Sequence, residues 1–209
     1  MSNNHIAPSQ QTVTPRLIVI LGGARSGKSA FAERLAARSE RPVAFIATAT
    51  SSDDEMRERI ARHRASRPKE WHTLEEPLDL AGALRSASDI ADVLLLDCIT
   101  LWLANWLFQR YGTHDEEEFV SSALFAEGAL QKEVGALLET LDFLAPNKTL
   151  IVVTNEVGLG IVPAYPLGRV YRDALGYVNQ CFARAADRVY LMVAGLAVDI
   201  KRLHDEASL

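Results

Sequence analysis

Leu17-Ile18-Val19-Ile20-Leu21-Gly22-Gly23-Ala24-Arg25-Ser26-Gly27-Lys28-Ser29 is the stretch on which the fold turns. Its first five residues are continuously apolar and largely β-branched, the pattern of a strand buried on both faces of a parallel sheet. The glycines that follow permit a tight turn. From Lys28 to Arg38 the residues Phe31, Ala32, Leu35 and Ala36 recur at helical spacing, leaving Arg34 and Arg38 for solvent. Gly22 to Ser29 therefore satisfies G-x-x-x-x-G-K-[ST] between a strand and a helix, the context that makes the pattern a P-loop. In such a loop the backbone N–H groups of Gly22, Gly23, Ala24, Arg25, Ser26 and Gly27 turn towards phosphate oxygens, helped by the positive end of the next helix. Lys28 is expected to reach the β- and γ-phosphates, and the Ser29 hydroxyl to ligate Mg²⁺.

Outward from that stretch, Val43 to Ala47, Val93 to Asp97 and Thr149 to Thr154 repeat the buried-strand pattern. Helices are expected from about Asp53 to Ser66, opened by a Ser52/Glu55 capping box and stopped by Pro68. Further helices are expected over Leu101 to Arg110, Glu116 to Leu144 and Arg172 to Ala186, with Gly112-Thr113-His114-Asp115 separating the first two. Arg188 to Val193 and Leu196 to Ile200, joined across Ala194-Gly195, read as an antiparallel hairpin closing the sheet edge. Strands alternating with helices predict an α/β fold, a mainly parallel sheet covered on both faces that binds ligands beyond the carboxyl ends of its strands.

A chain of 209 residues, 48% of them hydrophobic, suits one domain, expected over residues 17–209 after a flexible leader at 1–16 that lacks signal-peptide character. A net charge of −5 argues against a nucleic-acid-coating protein, and no apolar run is long enough to span a bilayer. Cys98 and Cys181 have no metal-ligand spacing and are expected to be buried free thiols in a reducing cytoplasm.

Asp97, directly after a buried strand, is the natural acid to hold Mg²⁺, and Glu156 stands at the end of the next such strand in either a structural or a functional role. Arg57, Arg59, Arg62, Arg64 and Arg67 surround His63. Met56, Ile60 and His63 are spaced i, i+4, i+7, so His63 faces whatever its helix packs on. It is either a half-buried core histidine or a neutral nucleophile among cations that attract a polyphosphate. His72, His114 and His204 are the other candidates for that role. The residues alone indicate phosphoryl transfer from a nucleoside triphosphate. The rival readings are a simple P-loop small-molecule kinase and a RecA-like ATPase or nucleotide-gated binding module.

Gly22 to Ser29, Ile46-Ala47-Thr48, Asp53 to Met56, Arg59 to Arg64, Asp97 to Thr100 and Thr154 to Pro163, in this order and spacing, resemble the bifunctional adenosylcobinamide kinase / adenosylcobinamide-phosphate guanylyltransferases of cobalamin biosynthesis. The resemblance extends from about Leu17 to Lys201. It implies a RecA-like P-loop fold and two activities. In the first, ATP or GTP phosphorylates the aminopropanol hydroxyl of adenosylcobinamide. In the second, GMP passes from GTP through a histidine to the new phosphate, giving adenosylcobinamide-GDP. The guanylylated histidine falls on His63, and Thr48, Arg64, Glu75 and Asp97 fall near nucleotide-contacting positions. The resemblance also implies a homotrimer. The leader is longer than is usual in the family, and Arg62 stands where some members have a second histidine.

Overall fold

The computed structural model describes residues 15–50, 54–65, 67–112 and 127–207, without the side chains at positions 55, 56, 59, 60, 62 and 127. Seven strands, β1 (Leu17–Gly22), β2 (Val43–Ala47), β3 (His72–Glu75), β4 (Val93–Asp97), β5 (Thr149–Val153), β6 (Arg188–Val193) and β7 (Leu196–Asp199), form one sheet in the order β3-β2-β4-β5-β1-β6-β7. Every neighbouring pair is parallel except β6 and β7. Alternate residues of β1 feed opposite cores: Leu17, Val19 and Leu21 one face, Ile18 and Ile20 the other. Burying a Val, Leu or Ile side chain contributes about 1.5–3 kcal/mol relative to exposure, which is why such a run settles at the middle of a sheet.

Helix α1 (Lys28–Ala37) lies on the second face through Ala32 and Ala36. The first face is covered by α3 (Leu80–Ile90), α4 (Ile99–Tyr111), α5 (Glu127–Phe143) and α6 (Pro166–Ala185), which supply Leu84, Trp102, Val134 and Phe182. Helix α2 (Asp54–Ala65) carries the arginine-rich segment, and α7 (Ile200–Ala207) follows β7.

Three elements go beyond the sequence reading. Strand β3 is a sheet edge, exposed at both ends and half-buried between, so no apolar run announces it; its pairing with β2, Ala44 opposite His72, defines it. Helix α3 starts at Asp79, whose side chain accepts the Gly82 N–H at 2.8 Å, and α7 has no buried residue to mark it. Helix α6 begins at Pro166 instead of Arg172, a proline being pre-shaped for the first turn of a helix. The expected helix start at Glu116, the Thr113 to Asp115 loop, Ser52 and Asp53, and residues 1–14 of the leader lie outside the described residues. Cys98 and Cys181 are both free and half-buried, not buried. Among the described residues no helix is long and apolar enough to cross a membrane.

Candidate phosphate-binding site

β1 delivers Gly22 to the carboxyl edge of the sheet with φ 153°. A Cβ there would meet the Met192 carbonyl oxygen at 2.5 Å, so the close approach of β1 to β6 requires glycine. Gly27, at φ 93°, caps α1 without any side-chain hydrogen bond, leaving the first turn's N–H groups facing the loop unclaimed by a cap. The Ser26 carbonyl accepts the Gly195 N–H at 3.0 Å, so the β6–β7 turn props the loop from outside. Lys28 is buried and its Nζ donates to the Gly23 carbonyl at 2.7 Å, inside the same loop. Gly22→Ala is expected to cost about 1–3 kcal/mol in backbone strain alone. A melting temperature equal to the parent's would show that β6 can give way.

The sheet order inserts β5 between β1 and β4, so the end of β5 stands between the P-loop and Asp97. Asn179 fixes that end: it accepts from the Thr154 hydroxyl at 2.7 Å and donates to the Asn155 carbonyl at 2.9 Å. The Glu156 N–H donates to the Gly22 carbonyl, and its carboxylate accepts the Gly158 N–H at 2.7 Å, so this acid shapes the turn beside the loop. Beyond it Leu159, Ile161 and Val162 are exposed and form an apolar rim.

Asp97 accepts a hydrogen bond from Ser29 and feels the charges of His63, Arg67 and Lys28, yet burial outweighs them and pushes its carboxyl above the usual range. Ser29 and Asp97 are hard oxygen donors in contact with one another, which fits Mg²⁺. No group of three or more His, Cys, Asp or Glu among the described residues is arranged to cage a metal.

Helix α2 presents His63, half-buried, to this cluster, where its charge bears on both Asp97 and Glu33. The fold thus gathers Lys28, Ser29, Asp97 and His63 from three separated segments. Arg64 and Glu75 meet each other at the exposed rim, 3.2 Å apart. Thr48 is wholly buried, and its hydroxyl bridges the N–H and carbonyl of Cys98 at 2.9 and 2.8 Å, bracing the residue after Asp97. His72 starts β3, at the end of the strand away from the loop, and His204 is exposed on α7; His114 lies outside the described residues. Burial, and after it the Asp97 charge, push the Cys98 thiol up to about 11, which leaves it unreactive.

Two members of the cluster escaped the sequence reading. Glu33 lies one helical turn beyond Ser29, an i, i+4 relation visible in the sequence once Ser29 is accepted as a ligand. Arg67 belongs to a charge run in the sequence, but its guanidinium lies 3.3 Å from the centre of the Phe45 ring, a contact no local pattern signals.

An uncapped P-loop helix facing a strand-end acid, on a sheet with one strand inserted between them, defines a P-loop nucleotide-binding protein of the α/β class. More particularly, the chain belongs to the cobinamide kinase / cobinamide phosphate guanyltransferase family, whose model matches residues 18–200, and it is an enzyme of that kinase and guanylyltransferase class. It is 48% identical over 183 residues to the bifunctional adenosylcobalamin biosynthesis protein CobP of Pseudomonas aeruginosa, covering 88% of this chain and 96% of that protein. It is 42% identical over 185 residues to the bifunctional adenosylcobalamin biosynthesis protein CobU of Escherichia coli, covering 88% and 99%. Among solved structures, a prototypical ATPase from the type III secretion system of pathogenic bacteria superposes with a TM-score of 0.52 at 13% identity, over 91% of this chain and 58% of that one, a likeness of fold alone.

Proposed function

We propose that the protein phosphorylates the aminopropanol hydroxyl of adenosylcobinamide with ATP or GTP and then transfers GMP from GTP, by way of His63, to give adenosylcobinamide-GDP. The observation that supports this reading is that the charge of His63, on α2, bears on Asp97, the acid that accepts the hydrogen bond of Ser29. A kinase acting on an alcohol needs only positioning and charge neutralisation there; a histidine adds a means of holding a nucleotide covalently.

In the kinase step the loop N–H groups and Lys28 hold the triphosphate while the substrate oxygen forms its bond to the γ-phosphorus, the bond to the β-phosphate oxygen breaks, and the alcohol proton leaves to solvent. Ser29 and Asp97 would hold Mg²⁺, which would supply further charge neutralisation at the phosphates. In the transfer step a lone pair of His63 bonds to the α-phosphorus of GTP and pyrophosphate leaves with the electrons of the broken P–O bond. An oxygen of the corrinoid phosphate then displaces the imidazole, which recovers its lone pair. The exposed Leu159, Ile161 and Val162 beside the loop are in keeping with a large, partly apolar acceptor. A cytoplasmic homotrimer belongs to the same reading by family resemblance, and sedimentation equilibrium tests the trimer.

Incubation with labelled GTP and no corrinoid tests the proposal. Label from the α-phosphate should become bound to protein and label from the γ-phosphate should not; absence of both would leave a simple kinase or an ATPase.

Asp97 makes a separate prediction. Because its carboxyl titrates above the usual range, protons compete with Mg²⁺ for it at a higher pH than for an ordinary aspartate. Mg²⁺-dependent turnover should therefore fall as the pH drops through that raised value and recover as it rises. Asp97→Asn should weaken Mg²⁺ binding about 10- to 100-fold and abolish that acid limb. If Mg²⁺ titrations of the variant match the parent at each pH, Asp97 is structural.

A further inference from the structure

Between β5 and α6 the chain leaves the sheet at the phosphate site itself, because β5 stands between the strand of the P-loop and the strand of Asp97. The Glu156 N–H donates to the Gly22 carbonyl at 3.0 Å, so this loop and the P-loop are tied at their roots. The loop is tied again at its far end. Arg169 donates to the carbonyls of Pro163 and Ala164 at 3.0 and 2.7 Å, and a Cβ on Gly168 would meet the Tyr165 ring at 2.6 Å. Between the two ties Leu159 is 83% exposed and Ile161 96%, and Val162 and Tyr165 are exposed with them. A Cβ on Gly160 would meet nothing within 4 Å. Single apolar residues on a surface are ordinary, but this many on one short, fastened loop beside a site mark a place where something apolar binds.

Charge narrows what that is. Although 23% of the chain is charged, no residue from Val157 to Gly168 is, so the loop offers a triphosphate no cation. On the other flank, towards β3, the rim of the site carries the charged pair Arg64 and Glu75. A corrinoid acceptor brings only its arm to the phosphates and leaves outside a broad, apolar ring system fringed by uncharged amides. The uncharged flank matches that chemistry and the charged one does not.

We propose that Leu159, Ile161, Val162 and Tyr165 form the ledge on which the ring system of the corrinoid docks, holding its arm over the P-loop. The inference rests on the corrinoid being the acceptor. Contact through apolar surface does not depend on the charge of the arm, so the ledge holds the substrate equally before and after the arm gains its phosphate. One docking surface then serves both transfers.

The test uses the full chain, with adenosylcobinamide and adenosylcobinamide phosphate as probes. Leu159→Asn and Ile161→Asn change side chains that are already exposed, so the melting temperature should stay at the parent value. Each should raise the KM for both corrinoids about 10-fold while kcat stays within about 2-fold. Ile161→Val, which keeps most of the apolar surface, should stay within about 3-fold of the parent KM. Labelling of the protein by α-labelled GTP without corrinoid, and the KM for GTP, should not change. Parent KM values for both corrinoids in both Asn variants overturn the inference. So does an equal rise in the KM for GTP, which would place the loop in the nucleotide site. Dissociation of an Asn variant into smaller assemblies in sedimentation equilibrium also overturns it, by giving the loop to a second copy of the chain. A parent protein that is labelled by GTP yet leaves adenosylcobinamide unphosphorylated would instead remove the acceptor assignment, and this inference with it.

Discussion

Lys28→Ala is expected to lower both the phosphorylation of adenosylcobinamide and the transfer of GMP by at least about 10²-fold, since one loop must orient the triphosphate whichever phosphorus is attacked. The ammonium is buried and donates to the Gly23 carbonyl within the loop, so its charge is held at the site. Removing it also leaves that carbonyl short of a donor, a loss of about 1–3 kcal/mol. Lys28→Met, which keeps the length of the side chain and fills its space, separates the two effects: both variants should lose activity while Lys28→Met stays closer to the parent in melting temperature. Phosphorylation by either variant at near the parent rate would remove the loop from the chemistry.

His63→Ala is expected to divide the two activities. Direct transfer of a γ-phosphoryl group to an alcohol uses no protein nucleophile, so much of the kinase activity should survive, whereas two-step guanylyl transfer should be lost entirely. Supplied with adenosylcobinamide and GTP, the variant should accumulate adenosylcobinamide phosphate and stop. With α-labelled GTP the parent should acquire a bond to imidazole nitrogen that is labile in acid and stable in alkali, and the variant none. Cys98 is a poor substitute nucleophile, since its thiol is held protonated, and Thr48 is locked to the Cys98 backbone. Peptide mapping completes the experiment. Label found on His72, at the far end of β3, or formation of adenosylcobinamide-GDP by the variant at the parent rate, would show that α2 brings the wrong histidine.

Strands β1, β2, β4 and β5 match the expected runs to within a residue, because a strand covered on both faces must be apolar at every position and so writes its limits into the chain. The P-loop was equally plain, since its glycines, lysine and serine act within one turn. The β6–β7 hairpin was legible for a local reason too: Ala194 and Gly195 both adopt positive φ, 51° and 83°, as a two-residue turn between twisted strands demands. The edge strand β3 was not legible, because half its side chains face solvent and only pairing with β2 defines it.

The sequence by itself determined the P-loop, the class of sheet and the acid at the end of β4. Only the tertiary structure decided that β5 stands between β1 and β4, that His63 comes to the Ser29–Asp97 pair, and that Glu33 and Arg67 lie half-buried behind them. The physical reason is the range over which each property is set. Backbone geometry and strand burial follow from neighbours a few residues apart. The charge, hydration and free partners of a side chain depend on which distant elements pack around it, and here those groups come from α1, α2, the segment between α2 and β3, and β4.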